Sequence, residues 1–251
     1  RQSGLRNMPS VVSFWPTDLA PELLGRFFAG AQNPILEQEC AFEMTIQPYK
    51  RGQVDRIREL CDKGVYHGAI ITGVSAEEQR YLESNRFGVP AVLFNRESSV
   101  FSCVYADSYE IGRKVAELFC SRGHRKVGVI VPEHLVQAEN NLRYRGFVES
   151  CARYGLELED RHIQIAPMSM EGGNSAARRI VEGGGKLPTA IFFPIGVMAI
   201  GALPVFHRAA IRIPEDLEIV TYGDHEAEKY SVPSLTTVKL PVEEMAAACI
   251  R

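Results

Sequence analysis

Short β-branched and aromatic runs alternate with helix-patterned stretches along nearly the whole chain, and this rhythm restricts the possible folds more than any other feature. The run Val127-Gly128-Val129-Ile130-Val131 is apolar without a break. A strand with one wet face alternates apolar and polar residues, whereas a strand covered on both faces need not. Strands are expected at Ser10–Trp15, Phe42–Gln47, Gly68–Thr72, Ala91–Asn95, Ser102–Ala106, Lys126–Val131, Ile163–Ala166, Ala190–Phe193 and Glu218–Tyr222. Helical spacing lies between most of them. Ile111, Val115, Leu118 and Phe119 share one face, and Gly123 follows as a C-terminal cap. Such alternation implies parallel sheets wrapped by helices, an α/β fold.

The rhythm breaks twice. The strand expected at Ser102–Ala106 follows Ala91–Asn95 across Arg96-Glu97-Ser98-Ser99 without a helix, and Gly223 to Ser234 reads as loop. Two α/β lobes fit these breaks better than one sheet, and clefts between such lobes at the carboxyl ends of the strands are the usual ligand sites. Pro34 falls inside the first helical stretch and is expected to kink or end it near Asn33.

The bulk properties exclude several roles. The net charge is −3, whereas a surface that grips nucleic acid by releasing counterions is basic. No apolar run approaches the roughly 18 residues of a membrane span, and Arg1 to Ser10 lacks the apolar core of a secretory signal. The six cysteines (Cys40, Cys61, Cys103, Cys120, Cys151 and Cys249) show no metal-ligand spacing and mostly sit among apolar residues. They read as buried free thiols of a cytoplasmic protein. Nucleotide-binding glycine loops, a nucleophile elbow and a zinc-protease motif are all lacking. Gly183-Gly184-Gly185 follows a helical stretch and reads as its terminator. The expectation is a non-enzyme with no catalytic residue, metal or cofactor.

Several motifs then appear in a fixed order. Asp107 to Gly112 and Gly123-His124 precede a hydrophobic strand. Arg143-Tyr144-Arg145-Gly146-Phe147, Val197-Met198-Ala199-Ile200-Gly201-Ala202-Leu203, Ile213-Pro214-Glu215-Asp216-Leu217 and Pro233-Ser234-Leu235-Thr236-Thr237-Val238 follow, with Pro241 soon after. The ordered set resembles the LacI/GalR transcriptional regulators over about Pro9 to Ala248. The resemblance implies two Rossmann-like lobes with a small-molecule effector, a sugar or similar, between them. It also implies a homodimer, and operator DNA bound through a preceding helix-turn-helix domain. On that pattern residues 1–8 are a linker remnant. Residues 9–123 plus 238–251 form the N-terminal lobe and 124–237 the C-terminal lobe. The family continues with a further strand and helix past the position of Arg251.

By the same resemblance Arg143 points into the cleft, where its five fixed donors suit ligand oxygens; an interlobe salt bridge is the alternative. Arg145 reads as a surface residue. Trp15, Thr17 and Asp18 follow the first strand. Either they offer a ring face and a polar anchor, or Trp15 is core and its neighbours cap the next helix. Asp107 either reaches the cleft or caps its own helix. Met168 stands where relatives often carry a stacking aromatic. Two departures concern polar ligand groups: Ile195-Gly196 replaces the family's Asn-Asp, and Gly223 replaces an aspartate for which Asp224 is the available substitute. The rival reading is a periplasmic solute-binding protein.

Overall fold

The computed structural model describes residues 8–19, 21–36, 42–85, 87–133, 142–223 and 226–251. Each strand in them pairs only in parallel, as the unbroken apolar runs require, and the strands form two five-stranded sheets. Contacts divide the chain into a first unit, residues 1–106 with 241–251, and a second unit, residues 107–240.

In the first unit, β1 (Ser10–Pro16), β2 (Glu43–Tyr49), β3 (Gly68–Thr72), β4 (Ala91–Phe94) and β5 (Ser102–Val104) lie in the order β2-β1-β3-β4-β5. Helices α1 (Pro21–Leu36), α2 (Val54–Asp62) and α3 (Ala76–Glu83) connect them. A core of Val12, Phe14, Ile57, Ile71, Leu82 and Leu93 fills one face. Helix α1 runs through Pro34 to Leu36 and does not stop near Asn33. Pro34 lies in the last turn, so it forfeits one amide donor but only two helical residues follow it.

The second unit begins with α4 (Ser108–Ser121). Then come β6 (Val127–Pro132), α5 (Leu142–Tyr154), β7 (Ile163–Ala166), α6 (Met170–Glu182), β8 (Ala190–Phe193), α7 (Gly196–Arg208), β9 (Glu218–Gly223), the one-turn α8 (Glu226–Lys229) and β10 (Thr236–Lys239). The sheet order is β10-β9-β8-β6-β7. After Leu240 the chain returns to the first unit as α9 (Val242–Ile250), which packs on α1 and ties to it through Arg26 Nε and Glu243 Oε1 at 2.7 Å.

Contacts draw the divisions at 106/107 and 240/241, beside the expected lobe bounds of 123/124 and 237/238. Helix α4 belongs to the second unit because it packs closely on α5. A Cβ at Gly112 would lie 2.0 Å from the Arg143 carbonyl oxygen, and one at Gly146 would lie 2.2 Å from that of Tyr109. Glycine at both places lets the two backbones touch. Strand β10 pairs with β9 from Thr236↔Val220 to Lys239↔Gly223, so the second sheet extends past residue 237. The sequence did not announce this strand.

At the amino edge of the second sheet Glu218 is buried. It accepts from Arg122 Nη1 and meets His124 Nε2 at 2.9 Å, while His124 Nδ1 meets Thr189 Oγ1 at 2.9 Å. The Gly123-His124 motif thus fastens the end of α4 to β8 and β9. Its histidine is structural.

Candidate functional site

In a parallel sheet, helices leave opposite faces where the strand order reverses, and a crevice opens at the carboxyl ends there. The first sheet reverses between β1 and β3, the second between β6 and β8. Both crevices hold polar side chains.

Beyond β1 and β3, Arg51 spans the gap. Its Nε donates to Asp18 Oδ2 at 2.6 Å and its Nη1 to the Gly73 carbonyl. Arg96, past the end of β4, donates Nη2 to the next carbonyl, Val74, at 2.6 Å. Burial lowers the Arg96 pKa and the neighbouring Arg51 charge lowers it further, while Glu78 opposes both. Glu78 is buried and accepts from the Gly52 and Ser75 amides at 2.8 and 2.7 Å. Ser75 caps α3 in return. The Tyr49 hydroxyl donates to the Thr72 carbonyl at 2.9 Å, and burial raises its pKa.

Beyond β6 and β8 the central group is Arg143, in the first turn of α5. Gly146 presses this helix onto α4, and Phe147 enters the core with no exposed surface. The Arg143 side chain then reaches the carboxyl ends of β8 and β9. Its Nη1 donates to the Pro194 carbonyl at 2.8 Å, and its Cζ lies 3.5 Å from the centre of the Tyr222 ring. Its Nε is buried without a hydrogen-bond partner. Burial lowers the Arg143 pKa to about 10, against the support of Tyr222.

The same edge carries a buried carboxylate. Glu228, 1% exposed, lies against Gly196 so closely that a Cβ there would meet its Oε1 at 1.2 Å. Gly196 starts α7 without a side-chain cap, and a helix start favours negative charge. The sequence lacks an acid at 196, yet the fold brings one from α8.

The other expected site residues fall as follows. Trp15 takes the core alternative: it is 4% exposed, its Nε1 donates to Ser13 Oγ at 2.8 Å, and its ring packs edge-on against Phe27 at 5.1 Å. It therefore offers no ring face. Thr17 does not cap α1, which starts four residues on; its amide donates to the Tyr49 carbonyl at 2.9 Å. Asp18 is engaged by Arg51. Asp107 caps α4, accepting from the Glu110 amide at 3.0 Å. Met168 is 53% exposed beyond β7, the edge strand. Asp224 lies outside the described residues. Arg145 is exposed and pairs with Glu149 at 3.4 Å. Sequence reasoning missed Arg51, Arg96, Tyr222 and Glu228. Arg51 and Arg96 each stand two residues past a strand end, which was the available signal.

Among the described residues five cysteines are unpaired, Cys61 and Cys151 fully buried; Cys40 lies outside them. Burial pushes the Cys61, Cys151 and Cys249 thiols up to about 12. Among the described residues no group of three or more metal-binding side chains gathers, and no helix is long and apolar enough to cross a membrane.

Two parallel α/β units, each with polar side chains at the crevice of its sheet, define the class of periplasmic-binding-protein-like folds. The model of the periplasmic binding protein-like domain matches residues 116–251. An uncharacterised helix-turn-helix regulator of Streptomyces limosus is 28% identical over 204 residues, 77% of this chain and 57% of that protein. The regulator GalS of Salmonella typhimurium is 27% identical over 193 residues, 76% of this chain and 54% of GalS. A LacI-family regulator of known structure from Clostridium acetobutylicum is 31% identical, with a TM-score of 0.84 over 96% of this chain and 90% of that one. The chain belongs to the LacI/GalR family of transcriptional regulators. It spans about half the length of the curated relatives it matches.

Proposed function

We propose that this chain is the effector-sensing, dimerising core of a bacterial transcriptional repressor. A small molecule held at the carboxyl edges of the sheets shifts the equilibrium between two arrangements of the core and thereby changes operator affinity in linked N-terminal domains. The observation that carries this reading is Arg143. It is held by the Arg-x-x-Gly-Phe helix start across the crevice between β6 and β8, with donors to spare. The matched relatives are helix-turn-helix regulators, which favours this reading over the solute-binding one. The test is a longer chain carrying its N-terminal domain, titrated onto its own promoter fragment with and without a metabolite library. At least one compound is expected to shift operator affinity about five- to 150-fold, and a chain that ignores both operator and library would sink the reading. The 251-residue core alone, at net charge −3, is expected to retain no specific duplex at physiological salt.

The dimer surface we assign to the second unit. Val232 is 93% exposed beside Pro233, and both border a groove of about 630 Å³ with Leu203, Ile211 and Ile213 and with the polar His207, Arg212 and Glu215. Apolar surface left contiguous on one subunit marks an interface, and a twofold self-contact is its commonest occupant. Val232→Asp is therefore expected to raise the dimer dissociation constant at least tenfold. Sedimentation equilibrium at roughly micromolar concentrations, where a dimer of about −8 kcal/mol is half formed, reads the change. An unaltered constant would remove this face from the interface.

A further inference from the structure

We propose that the small molecule taken at Arg143 carries an anionic group, a carboxylate or a phosphate, received by the guanidinium donors that Pro194 and Tyr222 leave unused. The inference rests on the sensing role proposed above and deepens it. Other arginines of the chain hold a carboxylate: Arg26 with Glu243, Arg51 with Asp18, Arg113 with Glu110, Arg161 with Glu159 and Arg212 with Asp216. Arg96, also half-buried and bonded to a carbonyl, lies in the field of Glu78. Arg143 has no carboxylate within ion-pair distance among the described residues. Its partners are one carbonyl at 2.8 Å and Tyr222, which offers both its ring at 3.5 Å and a side-chain hydrogen bond, and its Nε–H is buried with no acceptor. Glu228, the acid at this edge, lies against Gly196 instead.

This arrangement is electrostatically unfinished. A guanidinium stripped of water costs free energy that a carbonyl and a ring only partly return. Desolvation is what lowers its proton affinity. A neutral hydroxyl could fill the open donors, but a charged oxygen makes bonds roughly twice as strong and also balances the cation. The planar fork suits the two oxygens of a carboxylate or phosphate. Stacking on Tyr222 holds the fork before a ligand arrives, so little ordering entropy is lost on binding.

The experiment uses the 251-residue chain and the simplest anions. Sodium phosphate or sodium acetate replaces chloride at constant ionic strength, with D-glucose as neutral comparison, and the melting temperature is followed. Phosphate raises stability nonspecifically through exclusion from the surface, so the quantity read is the part lost in Arg143→Gln. A saturable, Arg143-dependent rise is expected with at least one anion, removed by Arg143→Gln and partly retained by Arg143→Lys. A response to phosphate alone identifies a phosphorylated ligand, and one to acetate alone a carboxylate. Equal rises in wild type and Arg143→Gln, or no rise at all, overturn the proposal. If Arg143→Gln fails to fold, the Nε–H resonance of Arg143, assigned with Arg143→Lys, must shift saturably with one of the anions; a static resonance overturns it equally. An Arg143-dependent rise with D-glucose and none with anions defeats the anionic inference and leaves the sensing role standing. Anion binding that never alters operator affinity in the longer chain does the reverse.

Discussion

Phe147→Ala is expected to destabilise the second unit by about 3–5 kcal/mol, the range for a fully buried phenylalanine cut back to alanine. The ring has no exposed surface, stands edge-on to Phe119 at 6.0 Å and tilts against Phe192 at 5.2 Å. It therefore joins α4, α5 and β8. The void would sit under the helix that carries Arg143, so loss of stability and of Arg143-dependent binding should come together. Denaturant titration with a probe in the second unit measures the first. A cost below about 1.5 kcal/mol would mean that the neighbouring rings close the gap, and that Phe147 is not what fixes α5.

Gly196→Ala is expected to cost about 1–3 kcal/mol through overpacking, because the new methyl would occupy the place of a Glu228 carboxylate oxygen. The obstacle ends a side chain, so the cost should depend on that side chain. In a double-mutant cycle with Glu228→Ala most of it should vanish, giving a coupling of at least about 1 kcal/mol. Additivity within about 0.5 kcal/mol would show that the two do not meet. The cycle also asks how a buried carboxylate is tolerated at the start of α7. If the helix dipole supports it, Glu228→Gln should destabilise even where glycine stays at 196.

The fold was largely legible because continuous apolar runs such as Val127–Val131 have one physical reading, burial on both faces. Strand β10 escaped because Thr236-Thr237-Val238-Lys239 is short and polar, and its strand character comes from pairing with β9. Pro34 misled because a proline biases a helix to end before it without forbidding one more turn at the cost of a single amide donor. The division drawn by contacts, at 106/107 and 240/241, likewise depends on what lies outside the local pattern. Helix α4 carries no mark of ownership in its own residues; contact through Gly112 and Gly146 decides it. At the candidate site, the motif singled out Arg143, but the groups it meets, Pro194 and Tyr222, lie 51 and 79 residues on and are joined to it only by the sheet order. Trp15 presented two open readings because an indole at a strand end can face either way. Only the positions of Phe27 and Phe94 decided between them.

The uninterrupted second unit and the divided first unit have different histories on the ribosome. Residues 107–240 form one compact unit from one continuous stretch, so that unit can mature as soon as its last strand emerges. The first unit is begun earlier and completed later. Helix α1 must wait more than 200 residues of synthesis for α9 to cover it, including the glycine surface at Gly30 and the charge of Arg26. Ordered emergence of this kind leaves α1 as the part of these two units most in need of shelter while translation proceeds.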